Sequence, residues 1–141
     1  MFVSVTRLRL RSWWFVFRFF RHNSATAAQL RKAAGFRSGA TLIDRGWAFW
    51  TKTLWDSEQD MKVYRGSGAH STSMPLLRKW CSESAVTHWT QPEDRLPSWL
   101  DAHRHLVEAP RFAAVDHPGS DHTARRIPEP TVSFWRDHPL S

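Results

Sequence analysis

Trp55-Asp56-Ser57-Glu58-Gln59-Asp60-Met61-Lys62-Val63-Tyr64-Arg65-Gly66-Ser67-Gly68-Ala69-His70-Ser71-Thr72-Ser73-Met74 joins the strongest strand pattern of the chain to its strongest helix pattern. Ser57 has the side-chain oxygen to cap a helix, and Glu58 and Asp60 follow in the first turn, where carboxylates meet the positive end of the macrodipole. Gly66 or Gly68 closes that short helix, because glycine tolerates the left-handed conformation at a helix end. A second helix starts near His70, and His70, Met74, Leu77 and Cys81 recur on one stripe at helical spacing. The spacing therefore puts His70 in a first helical turn and on the face expected to be buried. Both the positive helix end and partial burial disfavour imidazolium, and a neutral imidazole is what a metal or haem iron requires. The alternative is a helix-start histidine hydrogen-bonded to backbone.

Upstream, residues 36–43 and 47–55 read as two strands joined by Asp44-Arg45-Gly46, with glycine where a hairpin needs it. Trp47, Phe49, Thr51, Thr53 and Trp55 alternate with Ala48, Trp50, Lys52 and Leu54, and the Trp47–Trp50 end is bulky on both faces. A strand that is apolar on both sides is buried on both, which predicts a helix layer beneath it and something else above. Residues 2–10 alternate as a first strand, with Leu8 and Leu10 opposite Arg7 and Arg9. From Ser12 to Ala34 the period becomes helical: Trp13, Val16, Phe17, Phe20, Ala27, Leu30 and Ala34 share the face expected inside, and Gly35 is the terminator. Trp14, Phe15 and Phe19 widen the apolar surface beyond one stripe, as a subunit contact or a pocket mouth would.

Downstream, residues 85–90 give a fourth strand, Val86 and His88 on one face, Thr87 and Trp89 on the other. The order β-α-β-β-α-β over residues 1–91 is the ferredoxin-like α+β arrangement, an antiparallel sheet with helices on one face. Leaving the aromatic open face in water costs about 25 cal/mol per Å². A homodimer closed through the open faces, a dimeric α+β barrel, is the expected remedy. Seven of the eight prolines fall after Gln91, so residues 92–141 read as a proline-rich extension with one helix from Ser98 to about Glu108, carrying Trp99, His103 and Leu106 on a face, and an extended arm. Asp116-His117, Asp121-His122 and Asp137-His138 invite a metal reading, but the proline and loop residues between them give no rigid ligand geometry.

The chain has 141 residues and 41% hydrophobic composition, enough for one core with an appendage. Residues 1–91 hold 14 Lys or Arg against 5 Asp or Glu, and residues 92–141 hold 6 against 8, so the net charge of +7 belongs to the first part. Such a field attracts phosphates, acidic membrane surfaces or haem propionates alike. The single cysteine, Cys81, excludes an internal disulfide or a cysteine zinc cluster, and points to the cytoplasm and to a small core residue. Arg7, Arg9 and Arg11 ahead of Trp13–Phe20 resemble a signal sequence, but Arg18 interrupts the apolar run, which falls far short of the ~20 residues that span a bilayer. No signal peptide or integral membrane segment is expected; a peripheral membrane or nucleic-acid protein using the Arg7 to Arg21 region is a third reading, although these arginines are split between a strand and a helix and make no recognised nucleic-acid motif.

The segment carrying Trp55, Met61, Tyr64, Gly68, His70, Trp80, Glu83 and Trp89 resembles the spheroidene monooxygenase family, and the opening Ser4-Val5-Thr6-Arg7-Leu8-Arg9 looks like its first strand. More broadly, residues 2–91 resemble the dimeric α+β barrel proteins, which include antibiotic-biosynthesis and haem-degrading monooxygenases. The resemblance implies a monooxygenase-like protein acting on a hydrophobic or aromatic small molecule, or a non-catalytic haem or hydrophobic-ligand binder of the same fold. It implies His70 as a catalytic group or axial haem ligand, with Met74 beside it in a cofactor site. It also implies Trp47, Phe49, Trp50, Tyr64, His88 and Trp89 around a substrate between sheet and helices, and Arg7 and Arg9 stabilising an anion that develops on it. The first strand has Ser4, Thr6 and Arg7 with no Asn, which haem-degrading relatives use there. Either haem or no cofactor is compatible with the rest, and cofactor-free oxygenation needs only a pocket that holds an oxidisable substrate and excludes water.

Overall fold

In the computed structural model, which describes residues 1–44, 46–131 and 137–140, the first four strands are β1 (Phe2–Leu10), β2 (Phe36–Ile43), β3 (Ala48–Trp55) and β4 (Cys81–Thr90). Helix α1 (Val16–Arg31), entered through a 3-10 turn at Trp13–Phe15, connects β1 to β2; α2 (Glu58–Arg65) and α3 (Gly68–Trp80) connect β3 to β4. The remainder forms α4 (Trp99–Glu108), β5 (Arg111–Phe112), α5 (Ser120–Thr123) and β6 (Asp137–Pro139). The sheet is antiparallel throughout, in the order β5-β4-β1-β3-β2-β6. Its four inner strands have the ferredoxin-like order, with a short strand added at each edge.

The caps explain where the helices begin. The Ser57 hydroxyl accepts the Asp60 N–H at 3.1 Å, and Ser98 accepts that of Asp101 at 3.0 Å, so α2 and α4 each start on a satisfied orphan donor. Gly35, at φ 77°, ends the α1 segment in the left-handed region, as expected of that glycine.

α1, α2 and α3 lie on one sheet face, where Phe2, Trp55, Met61 and Leu30 form one cluster and Phe19, Phe49 and Trp80 another. The opposite face carries Val3, Val5, Leu42, Trp50 and Leu54, and is covered by Trp99, Ala102 and Leu106 of α4. The roof expected from a second copy thus comes from the same chain. The extension does not trail either: β6 pairs with β2, and the Leu140 N–H donates to Gly39 O at 2.8 Å.

Four local expectations change. The buried side of α1 is Phe19 and Leu30, while Trp13, Phe17 and Phe20 of the expected inner face are exposed. Ser73 and Trp80 are the buried positions of α3, so the helix is turned away from the His70-Met74-Leu77-Cys81 stripe; Cys81 is instead the first residue of β4. That strand starts four residues earlier than its apolar pattern does. Finally, among the described residues of the β2–β3 turn it is Trp47 (φ 60°), not Gly46, that is left-handed; Arg45, the middle of the expected turn, lies outside the described residues. Among the described residues no helix is long and apolar enough to cross a membrane.

Candidate functional site

β4 ends at Thr90, and the chain turns through 91–98 into α4. Between that turn, the end of the sheet and the start of α4 lies a groove of about 790 Å³, open to solvent along one side. Gln91 holds the turn: its Oε1 accepts the indole N–H of Trp89 at 3.0 Å, and its Nε2 donates to the carbonyls of Glu93 and Arg95 at 3.0 and 2.8 Å. Trp89 lies flat on His105 of α4, with ring centroids 3.8 Å apart and planes 6° apart. The ring nitrogens of His105 have no hydrogen-bond partner among the described residues, so they are open to a ligand.

Lys52 rises from β3 into the same groove. Its ammonium donates to Pro97 O at 2.7 Å and sits 4.1 Å from the centre of the Trp99 ring, a cation–π contact that holds the charge in place. Arg95 and Arg104 add positive charge to the wall; Glu93 and Asp101 oppose it, and Asp101 already pairs with Arg104 at 3.0 Å. Such a site can stack a flat ring, hold an anion and take up a proton. Neither Lys52 nor His105 was singled out from the sequence. The signal for Lys52 was a charged residue on a strand face otherwise made of Ala48, Trp50 and Leu54; nothing in the sequence indicated that α4 would bring His105 onto Trp89.

The residues expected to share a substrate pocket are divided by the sheet. Trp50 and Trp89 belong to the α4 side, Phe49, Tyr64 and His88 to the helix side, and Trp47 to the hairpin tip. Trp50 is fully buried, its indole N–H donating to Asp44 at 2.9 Å. Tyr64 packs against Trp55, and burial raises the pKa of its hydroxyl. His88 lies 5.4 Å from Phe2, and burial, followed by the charge of Arg111, lowers its pKa. Only Trp89 reaches the groove.

Arg7 is buried and donates to Glu83 at 2.8 Å, with the ring of Trp50 5.7 Å away; Arg9 shares Glu83 at 3.3 Å. Both guanidinium groups are thereby committed to one buried carboxylate. His70 Nδ1 donates to Arg65 O at 3.1 Å, the backbone-bonded alternative, and its ring packs on Tyr64 at 4.9 Å. Burial lowers its pKa against the opposing pull of that carbonyl. Met74, one turn on, is 46% exposed. Tyr64 fills one side of the imidazole and Met74 faces water, so these residues do not form the apolar slot that a porphyrin needs.

Cys81 is buried and its thiol is pushed up to about 12, which makes it inert at neutral pH. Two of the Asp-His pairs tie the extension to the rest of the chain: Asp116 accepts from Arg78 at 2.8 Å and His122 lies 3.3 Å from the Ser84 N–H, while Asp121 pairs with Arg126 inside the extension at 3.1 Å; the side chain of Asp137, in the third pair, lies outside the described residues. Among the described residues no three potential metal ligands cluster.

No protein-family model matches the chain, and no curated protein matches it in sequence. Solved structures do match its fold. A Nitrosomonas europaea protein assigned as an antibiotic biosynthesis monooxygenase superposes with a TM-score of 0.57 at 11% identity, covering 66% of this chain and 100% of that one. SnoaB, a cofactor-independent oxygenase from Streptomyces nogalater, gives 0.55 at 16%, over 65% of this chain and 93% of that one. A conserved protein from Methanosarcina mazei Go1 gives 0.58 at 13%, over 64% and 91%. At these identities the likeness establishes the ferredoxin-like α+β fold alone and leaves about a third of this chain unmatched.

Proposed function

We propose that the protein is a monooxygenase-like oxidoreductase that takes a flat hydrophobic or aromatic molecule bearing an ionisable hydroxyl in the groove between sheet and α4. The observation that carries this reading is the Trp89–His105 stack beside the anchored ammonium of Lys52. The ring of the substrate would extend the stack, and its hydroxyl proton would pass to an open nitrogen of His105. Lys52 and Arg95 would hold the resulting anion, which is the electron-rich form that dioxygen oxidises. For a ring CH2 the balance closes without another reductant: one oxygen atom becomes the carbonyl, and the other leaves as water with the two hydrogens. A homodimer through the sheet face opposite α1, α2 and α3 would have to displace α4, which covers that face. The open side of the groove favours a second reading, a binder of the same ligand class without turnover, because oxygenation of an anion gains from excluding water.

Dioxygen uptake with a panel of phenolic and polyene compounds, paired with binding by ligand absorbance, separates these readings. His105→Gln is expected to lower turnover about 100-fold or more while binding changes less than threefold, and Trp89→Ala to weaken binding about tenfold. Binding without uptake leaves the non-catalytic reading. If no compound binds, or binding is unchanged in Trp89→Ala, the groove is not the site.

A further inference from the structure

The end of the molecule away from the groove residues carries the most exposed aromatics among the described residues. Trp13, Trp14 and Phe17 are 65, 85 and 78% exposed, and Phe20 and Trp47 are also open to solvent. They come from two elements, the turn into α1 and the tip of the β2–β3 hairpin, and Trp13 and Trp47 meet edge to face at 4.4 Å. Trp47 keeps this position in the left-handed backbone region (φ 60°), which disfavours a bulky side chain. Arg9 and Arg11 line a cleft of about 200 Å³ beneath Trp13 and Trp47. Arg18 and Arg21 flank the aromatics on α1 and form no ion pair or hydrogen bond among the described residues. Residues 1–43 contain no Asp or Glu, and Asp44 is buried, accepting from the Ala48 and Trp50 N–H groups.

We infer that this end docks on an anionic phospholipid bilayer, with Trp13, Trp14, Phe17 and Trp47 entering the headgroup region and Arg18 and Arg21 facing lipid phosphates. Indole rings prefer the membrane–water interface, and a helix with aromatic and cationic residues on its outer side binds there without spanning. Charge selects among occupants. A second copy packed symmetrically on the same patch would set arginines against arginines with no carboxylate between them. Single-stranded nucleic acid stacks its bases along a groove, whereas these rings project as a ridge.

The test is co-sedimentation of the full chain with phosphatidylcholine vesicles with and without 30% phosphatidylglycerol. Binding at least tenfold stronger to the anionic vesicles is expected, weakened by 0.5 M salt, with a blue shift of indole emission. Trp14→Ser with Phe17→Ser, and separately Arg18→Glu with Arg21→Glu, should each cut binding about tenfold while the thermal melt is kept. Trp47→Gly suits its own φ and should also weaken binding in a folded protein. Equal affinity for both vesicle types, or tighter binding to an oligo-dT strand, would overturn the inference. So would a wild-type dimer that the Trp14/Phe17 variant dissociates.

Discussion

Glu83 is a single buried carboxylate holding two arginines, and Arg7, its inner partner, is only 5% exposed with its Nε donor unsatisfied. Removing one member of such a pair strands a charge in a medium that solvates it poorly, at a cost of about 3–5 kcal/mol. Glu83→Gln should therefore lower the urea midpoint sharply, while the joint change Arg7→Met with Glu83→Leu should cost much less, since the only charge left without its partner is that of the half-exposed Arg9, which water can solvate; equal losses from the two would show that the pair is not what matters. Arg7 and Arg9 were legible as strand residues facing one way, but their partner was not. Ser82-Glu83-Ser84 has no apolar alternation, so the pairing that carries Glu83 into the sheet leaves no periodic trace in the sequence. Trp47 is a similar case at the turn, since propensity assigns the left-handed position to Gly46 and only the contact with Trp13 shows why a tryptophan holds it.

At the scale of elements, the β-α-β-β-α-β order of residues 1–91 and the helix α4 followed from periodicity, whereas the short β5, α5 and β6 and the facing of the helices did not. Residues 13–20 are apolar nearly all round, so no period singles out a buried side; the meeting of Phe19 with Phe49 at 4.4 Å does. α4 was recognisable as a helix, yet no local signal says that it folds back over the sheet. The α1–α2–α3 junction depends on polar bonds: Gln29 donates to Ser67 O at 2.7 Å and accepts the His70 N–H at 2.9 Å, next to the His70–Arg65 bond. His70 here and His88 on β4 both have folded pKa values lowered from 6.5, chiefly by burial. The folded state then binds fewer protons than the unfolded chain, so neither histidine affects stability well above pH 6.5. The penalty grows as pH falls through 6.5 and levels off below the lowered folded values. Denaturation midpoints measured from pH 8 to 5 should fall over that window, and His70→Gln with His88→Gln should flatten the fall; an unchanged slope would place the titration elsewhere.

For the whole molecule, the question is what α4 does to association. The sheet face that would otherwise pair with another copy is filled by Trp99, Ala102 and Leu106, and exposed ion pairs between Arg37 and Asp94 (3.9 Å) and between Arg78 and Asp116 (2.8 Å) tie the acidic extension to the basic remainder. Exposed pairs of this kind are screened by water and salt and add little, so apolar contact holds the roof in place. Leu106 is fully buried, and its replacement by Ala should cost about 2–5 kcal/mol. Leu106→Asp is the sharper change, because a carboxylate there is buried without a partner and α4 lifts to hydrate it. Val3, Val5 and Trp50 then lose their cover, and the cheapest way to dry them again is another chain. Sedimentation velocity in the absence of lipid should give the mass of one chain for the wild type and a concentration-dependent larger species for Leu106→Asp, whereas a wild-type dimer unaffected by the substitution would show that association uses a different surface.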